Sequence, residues 1–373
     1  MYSSERSNKM LGQLVRSSTT APLSHTKTDG HVIESDNSRK RGPIPLSILT
    51  NDDPSLSCPP PLVPVHDRIA SANRIEASSQ NHSLPPRLIP RIMHLSMRSR
   101  CCPPDLAKTV SLWQKALPET DIYFHDDGAI ERLLRDDPWP EFPHLLKIYD
   151  GCIQVKGAVM VDIWRVLILY RYGGLYSDID NWPLPPFTEE KPIHPDDSAF
   201  FFSDAWNRPS QWFMAMAPNH PIAYFNMYEI LKRILAQNEI ERIKPVFTTG
   251  PDATKAGYSM FLAGNGESYS GIFDQKLHLA GDRFNHSRVT KSEKGGGQYL
   301  LGALGGTFGD IVEWNNTETG EIENVTRKEM CERQSGVIHW TKKVLQRARE
   351  RNEPNGRCQD RLYMLDQIKA GII

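Results

Sequence analysis

The sequence predicts an α/β sandwich, and three observations carry that expectation. Short β-compatible runs alternate with segments of helical period between residues 87 and 135; a long apolar helix is written over 155–172; and a glycine pair at 173–174 ends it. Strand, helix, strand, helix is the rhythm of chains that lay helices on the faces of a sheet.

Each element follows from its residues. RLIPRIMHL (87–95) is an apolar run bounded by prolines and suits a strand. In PPDLAKTVSLWQKALP, Leu106, Val110, Trp113 and Leu117 recur at helical spacing. DIYFHDD (121–127) reads as a strand and 128–135 as a helix. Across VKGAVMVDIWRVLILYRY (155–172), Val161, Trp164 or Arg165, Ile168 and Tyr172 keep a helical period, and Gly173 supplies a left-handed C-cap. LYSDID then extends as a short strand. SAFFFSD (198–204) and QWFMAMAP (211–218) suit buried strands, and an amphipathic helix starts at Pro221. Residues 292–310 are too rich in glycine to carry a period.

The first 85 residues are different in kind. They are rich in Ser, Pro, Asn and mixed charge, with PPPLVP at 59–64 and no apolar period. Such a segment buries too little surface to offset its ordering entropy, so 1–85 is expected to be a disordered tail or stalk. A single domain is expected over 86–345 and a basic, helical extension over 346–373.

Composition narrows the function. The chain has 373 residues, 39% of them hydrophobic, enough for a real core. A net charge of −1 gives no field that would favour nucleic acid or an anionic surface. No run approaches the ~18–20 apolar residues of a membrane span, and the N-terminus lacks the apolar region of a secretory signal. Cys58, Cys101, Cys102, Cys152, Cys331 and Cys358 contain no C-x-x-C pair, which leaves zinc ribbons and thioredoxin-like chemistry unsupported. Their pairing stays open, although a bridge between adjacent Cys101 and Cys102 would be strained. N-x-S/T sequons begin at Asn81, Asn285, Asn315 and Asn324, and matter only in a secretory compartment.

Chemistry concentrates in YRYGGLYSDIDNW (170–182). On a strand, Asp178 and Asp180 point to one face. Two carboxylates that close repel unless a cation or donor lies between them, and hard oxygens suit Mg²⁺ or Mn²⁺ shared with phosphate. The bland alternative is a polar turn. The pair's place at a strand's carboxyl end, where open α/β sheets collect ligands, favours a site. One helix upstream, Asp162 and Arg165 are three residues apart on one face, in surroundings so apolar that they need a defined partner, such as a ligand rich in hydroxyls. A dehalogenase-type phosphatase would need Thr or Val two residues after the second aspartate, following a continuous apolar strand, and neither Asn181-Trp182 nor the preceding Tyr176-Ser177 fits. An EF-hand fails because Trp182 takes a ligand position.

The run VMVDIWRVLILYRYGGLYSDID (159–180) resembles the central block of glycosyltransferase family 32: Asp and Arg one turn apart, aromatic-Gly-Gly-aliphatic-Tyr, then D-x-D. IPRIMH (89–94), WQKALPETDIYFHDD (113–127), FMAMAPNHP (213–221) and TTGPDATKAG (248–257) are similar to the flanking segments, so the likeness covers roughly 86–340. Two places depart from the pattern: Leu95-Ser96 replaces an Ile-Trp pair, and VIHWTKK replaces a closing His-Ser-Trp.

The resemblance implies a GT-A fold, a Rossmann-type α/β/α sandwich with a mixed, mainly parallel sheet. It implies Mn²⁺, with Mg²⁺ as the alternative, held by Asp180 directly, with Asp178 on the ribose or a metal-bound water. Both are the expected catalytic residues. His339 is the expected third ligand, a packed core histidine being its other reading. Asp162, Arg165, Gly174 and Tyr176 are expected around the donor sugar. The implied activity is retaining transfer from a nucleotide sugar, GDP-mannose foremost, to a glycan or glycolipid, in the Golgi or another secretory lumen in association with membrane. No nucleic-acid partner is expected. The alternative is a catalytically inactive domain of the same fold that binds glycans or nucleotide sugars.

Overall fold

The computed structural model describes residues 43–50, 55–71, 84–153, 157–204, 207–237, 244–263, 289–292, 304–306, 311–315, 320–326, 358 and 360–370. Contacts divide the chain into Met1–Lys40, all of it outside the described residues, and Arg41–Ile373.

In chain order the described elements begin with α1 (Leu46–Leu49), β1 (Val63–Pro64), β2 (Arg68–Ile69), β3 (Ile92–Ser96), β4 (Cys101–Cys102) and α2 (Pro104–Ala116). Next come β5 (Asp121–His125), α3 (Asp127–Asp136), α4 (Leu145–Cys152), α5 (Gly157–Tyr172), β6 (Gly174–Ser177), β7 (Asn181–Pro183) and α6 (Pro185–Glu190). The chain continues through β8 (Ala199–Ser203), β9 (Pro209–Met216), α7 (Pro221–Ala236), α8 (Pro245–Thr248) and α9 (Pro251–Ala263). It ends with β10 (Val289–Ser292), β11 (Leu304–Gly306), β12 (Ile311–Asn315), β13 (Ile322–Thr326) and α10 (Arg361–Lys369).

Local chemistry sets the boundaries. Proline at the first helical position opens α2 and α7, where its missing N–H costs nothing. Asp126 caps α3 by accepting from the Ala129 N–H at 2.8 Å, and the His220 ring caps α7 through Ile222 N–H. Gly173, at φ +65°, ends α5 as the glycine pair predicts.

The central sheet has seven strands in the order β10-β8-β9-β6-β3-β5-β2. Side-chain alternation divides its residues between two cores. Tyr176, Ala199, Phe201, Met214 and Met216 join the helices α3, α4, α5, α7, α9 and α10. Their neighbours Leu175, Phe200, Phe202, Phe213 and Ala215 join α2 and α6. Helices thus cover both faces, as the α/β sandwich reading requires.

Two expectations change. The sheet is not mainly parallel: β3 lies parallel to β5 and β6, and β8 to β10, but β9 runs antiparallel to both β6 and β8, and β2 to β5. Only a short connection separates β8 from β9, and a short link between neighbouring strands makes them antiparallel. The second change concerns the expected tail over 1–85. Residues 43–71 hold ordered pieces: Leu49 is fully buried in the helical core, its carbonyl accepts from Arg132 Nε at 2.9 Å, and β2 extends the sheet edge. The Cys58–Cys101 disulfide fastens this segment to β4. Two-residue strands show no period, which is why composition hid them.

Two small antiparallel pairs lie outside the central sheet: β7 with β11, and β12 with β13. A second disulfide, Cys152–Cys358, joins the end of α4 to the residues before α10. Among the described residues no helix is long and apolar enough to cross a membrane.

Candidate functional site

The site forms where the end of β6 meets the middle of α5. Gly174, at φ +96°, has the Ile92 carbonyl only 2.5 Å from where a Cβ would stand. A side chain there would push β6 off β3, so Gly174 is a strand-packing residue. Whatever it does near the sugar, it sets how closely two strands approach.

Beyond β6 the strand does not continue through LYSDID. It stops at Ser177, and Ile179–Asp180 turn, with the Asn181 N–H donating to the Asp178 carbonyl at 3.1 Å. Asp178 N–H and Asn181 Nδ2 both donate to the Trp212 carbonyl of β9, at 2.9 and 3.1 Å, and Trp113 Nε1 donates to the Asn181 carbonyl at 2.9 Å. The side-by-side strand geometry therefore gives way to a pinned turn, with β11 running beside Asn181–Pro183. Backbone hydrogen bonds to β9 win over continued extension.

The helix pair and the turn meet at one guanidinium. Arg165 Nη2 stands 3.3 Å from Asp162 Oδ1, and Nη1 stands 3.2 Å from Asp178 Oδ1. Nη1 also donates to the Gln211 carbonyl at 2.9 Å, while the guanidinium lies 4.7 Å over the Tyr176 ring. Tyr176 is 1% exposed and its hydroxyl donates to Asp178 Oδ1 at 2.5 Å. Tyr176 thus holds Asp178 in orientation through its hydroxyl.

Asp162 is held from its other side. Thr249 Oγ1 donates to Asp162 Oδ2 at 2.6 Å, and Gln211 Nε2 donates to the Thr249 carbonyl at 3.0 Å. Neither Thr249 nor Gln211 is among the residues expected from sequence. Thr249 stands inside the TTGPDATKAG segment, which was the available signal; Gln211 lies in the buried strand β9 and offers none.

The electrostatics follow from burial. Burial pushes the Asp162 carboxyl up to about 6, against the lowering pull of Arg165 and the Thr249 hydrogen bond. Burial pulls the Arg165 guanidinium down, but Tyr176, Asp178, Asp162 and Asp180 together raise it above its ordinary value. It is a permanent cation. The Tyr176 phenol is raised well above its ordinary value, chiefly by burial, and stays a donor.

Asp178 Oδ1 is engaged by Arg165 and Tyr176, and the partly exposed Asp178 and Asp180 place two carboxylates, both hard oxygen groups, at the turn. Among the described residues no three His, Cys, Asp or Glu side chains converge as metal ligands. Two carboxylates alone fit an ion of the Mg²⁺ or Mn²⁺ kind, which completes its shell with phosphate and water oxygens. His339, the expected third ligand, lies outside the described residues.

Residues 103–200 match a family model described as the glycosyltransferase sugar-binding region containing the DXD motif. That span runs from α2 to the first residues of β8 and holds every expected site residue except His339. Among solved structures, the PaToxG glycosyltransferase is similar at 15% identity, with a TM-score of 0.37, covering 56% of this chain and 80% of that one. No curated protein matches the sequence significantly.

Proposed function

We propose that the chain is a metal-dependent, retaining glycosyltransferase that moves a sugar, mannose from GDP-mannose first among the candidates, from a nucleotide sugar to a glycan or glycolipid. The observation that supports this best is the Arg165 guanidinium, which joins Asp162 to the first aspartate of D-x-D at 3.3 and 3.2 Å. A pair suited to sugar hydroxyls thereby adjoins a pair suited to a metal-bound diphosphate. The matched DXD sugar-binding region supports the same reading.

In this reading Asp162 and Arg165 hydrogen-bond the donor sugar's hydroxyls and fix the anomeric carbon for attack. Tyr176 keeps Asp178 in place. A divalent ion held by Asp180 and Asp178, Mn²⁺ or Mg²⁺, would supply Lewis-acid charge. Retention by front-side displacement, with the leaving phosphate accepting the acceptor's proton, needs no protein nucleophile. A covalent glycosyl-enzyme seen by mass spectrometry would overturn that step.

Preference for mannose, and the choice between glycan and glycolipid, rest on the resemblance of residues 159–180; a screen of nucleotide sugars tests them. We also place the protein in an oxidising secretory lumen, the Golgi by the same resemblance, in association with membrane. The two disulfides support an oxidising compartment. Fractionation of the native protein tests this placement.

The central test is nucleotide-sugar hydrolysis with and without Mn²⁺, for wild type and Asp180→Asn. We expect a loss of about 100-fold or more from either change, the size of effect seen when transition-state charge stabilisation is removed. Activity that survives both removes the transferase reading. Mn²⁺-dependent nucleotide binding without turnover points to the inactive binding domain.

A further inference from the structure

We propose that Thr249 and Gln211 are positioning residues, closing a ring of polar contacts that holds Asp162 and Arg165 in the orientation the donor sugar requires; the inference rests on the donor-site reading above. The ring can be traced atom by atom. Thr249 Oγ1 donates to Asp162 Oδ2 (2.6 Å), Gln211 Nε2 donates to the Thr249 carbonyl (3.0 Å), Arg165 Nη1 donates to the Gln211 carbonyl (2.9 Å), and Arg165 Nη2 returns to Asp162 Oδ1 (3.3 Å). All four residues are buried, at 0% exposure for Thr249, 3% for Gln211, 5% for Asp162 and 8% for Arg165.

Three separate elements contribute: α5 gives Asp162 and Arg165, β9 gives Gln211, and the turn between α8 and α9 gives Thr249. A helix alone would leave the Asp162 carboxylate free to rotate about its last bond. Here each carboxylate oxygen is fixed from a different direction, one by a cation and one by a hydroxyl. Each oxygen keeps a further lone-pair direction for a ligand hydroxyl. Burying four polar groups is costly compared with apolar packing unless every one is satisfied, so a closed ring suits orientation better than plain cohesion.

The ring predicts a particular kinetic split. Thr249→Val keeps the shape and removes the donor. Its effect should fall on sugar alignment, so kcat for hydrolysis of GDP-mannose or UDP-glucose drops about 10- to 100-fold, while the donor KM changes less than about threefold. Binding of GDP and UDP with Mn²⁺, followed by calorimetry, should stay within about twofold of wild type, because the hydroxyl acts on Asp162 and not on the D-x-D turn. Thr249→Ser, which restores the donor, should recover activity to within about threefold. Gln211→Met keeps the length and loses Nε2, and provides the same readout should the valine variant fold poorly.

Wild-type turnover in Thr249→Val and Gln211→Met overturns the inference. So does a serine variant as impaired as the valine one, or a parallel loss of GDP and UDP binding, which would make the ring a general structural brace. If the wild type itself hydrolyses no nucleotide sugar, the transferase reading fails and this inference with it. Active wild type with unaffected variants removes the inference alone.

Discussion

Asp162 is the residue on which pH should act. Its carboxyl, pushed up to about 6 mainly by burial, loses its charge as pH falls through that value. Protonation removes the counter-charge beside Arg165 and competes with the Thr249 hydroxyl for the same oxygens. The kcat/KM for a nucleotide sugar reports ionisations of the free enzyme, so its acid limb should fall near pH 6. Asp162→Asn should lower kcat/KM by about 100-fold at pH 7.5 and flatten that limb. A limb of unchanged position in the asparagine variant would assign it to another group. Asp162 and Arg165 were legible as a pair because a three-residue spacing in an apolar helix leaves few alternatives. Their partners were not: Thr249 is 87 residues from Asp162, and Gln211 is 46 from Arg165. Periodicity reports which face a residue occupies, never which distant strand or turn packs on that face.

Among the elements, the turn between α5 and β6 carries the heaviest constraint. Gly173 has the Pro218 ring atoms 2.7 Å from a would-be Cβ, and Gly174 has the Ile92 carbonyl at 2.5 Å. His94 of β3 reaches the Gly173 carbonyl with Nε2 at 3.1 Å and meets His125 Nε2 through Nδ1 at 3.2 Å. Burial holds His94 down to about 4, so at neutral pH this clamp is uncharged. The glycine pair was legible as a helix stop, but the packing role of its second glycine was not, because a sequence does not show a neighbouring strand's carbonyl. Gly174→Ala should therefore cost about 2 kcal/mol or more of stability, read as a lower urea midpoint, since it combines a positive φ with a backbone clash. Gly151→Ala is the matched comparison. Gly151 lies in α4 with nothing within 4 Å of a Cβ, and alanine there should be neutral or gain up to about 1 kcal/mol. Equal midpoints for the two variants would mean that β6 can move off β3 without cost.

At the scale of the whole molecule, the described fold is tied at both ends of its chain. The sandwich itself was legible from alternating periods and the mixed sheet from the resemblance, but its share of antiparallel pairs was not, because strand direction depends on connections that periodicity does not show. The ties were hidden altogether: six cysteines without a motif admit many pairings. Cys58–Cys101 spans 43 residues and fastens the N-terminal segment; Cys152–Cys358 spans 206 and holds α10, whose Met364, Leu365 and Ile368 are buried in the helical core. Arg361 Nη1 to the Gln237 carbonyl at 2.7 Å and Lys147 to Asp360 at 2.7 Å add polar contacts that water can compete for. The longer bridge adds a covalent restraint to this packing, chiefly by limiting the unfolded chain. Replacing Cys152 and Cys358 together by serine should lower stability by about 2–4 kcal/mol. Hydrogen exchange should rise in 361–369 before it rises in α7, because the buried face of α10 is small beside that of α7. The same bridges make the compartment testable. Native protein alkylated before reduction should show Cys58, Cys101, Cys152 and Cys358 protected as disulfides, and full alkylation of these four would remove the oxidising-lumen placement. Cys102 reports on packing instead: burial pushes its thiol up to about 12, so it should react only on unfolding.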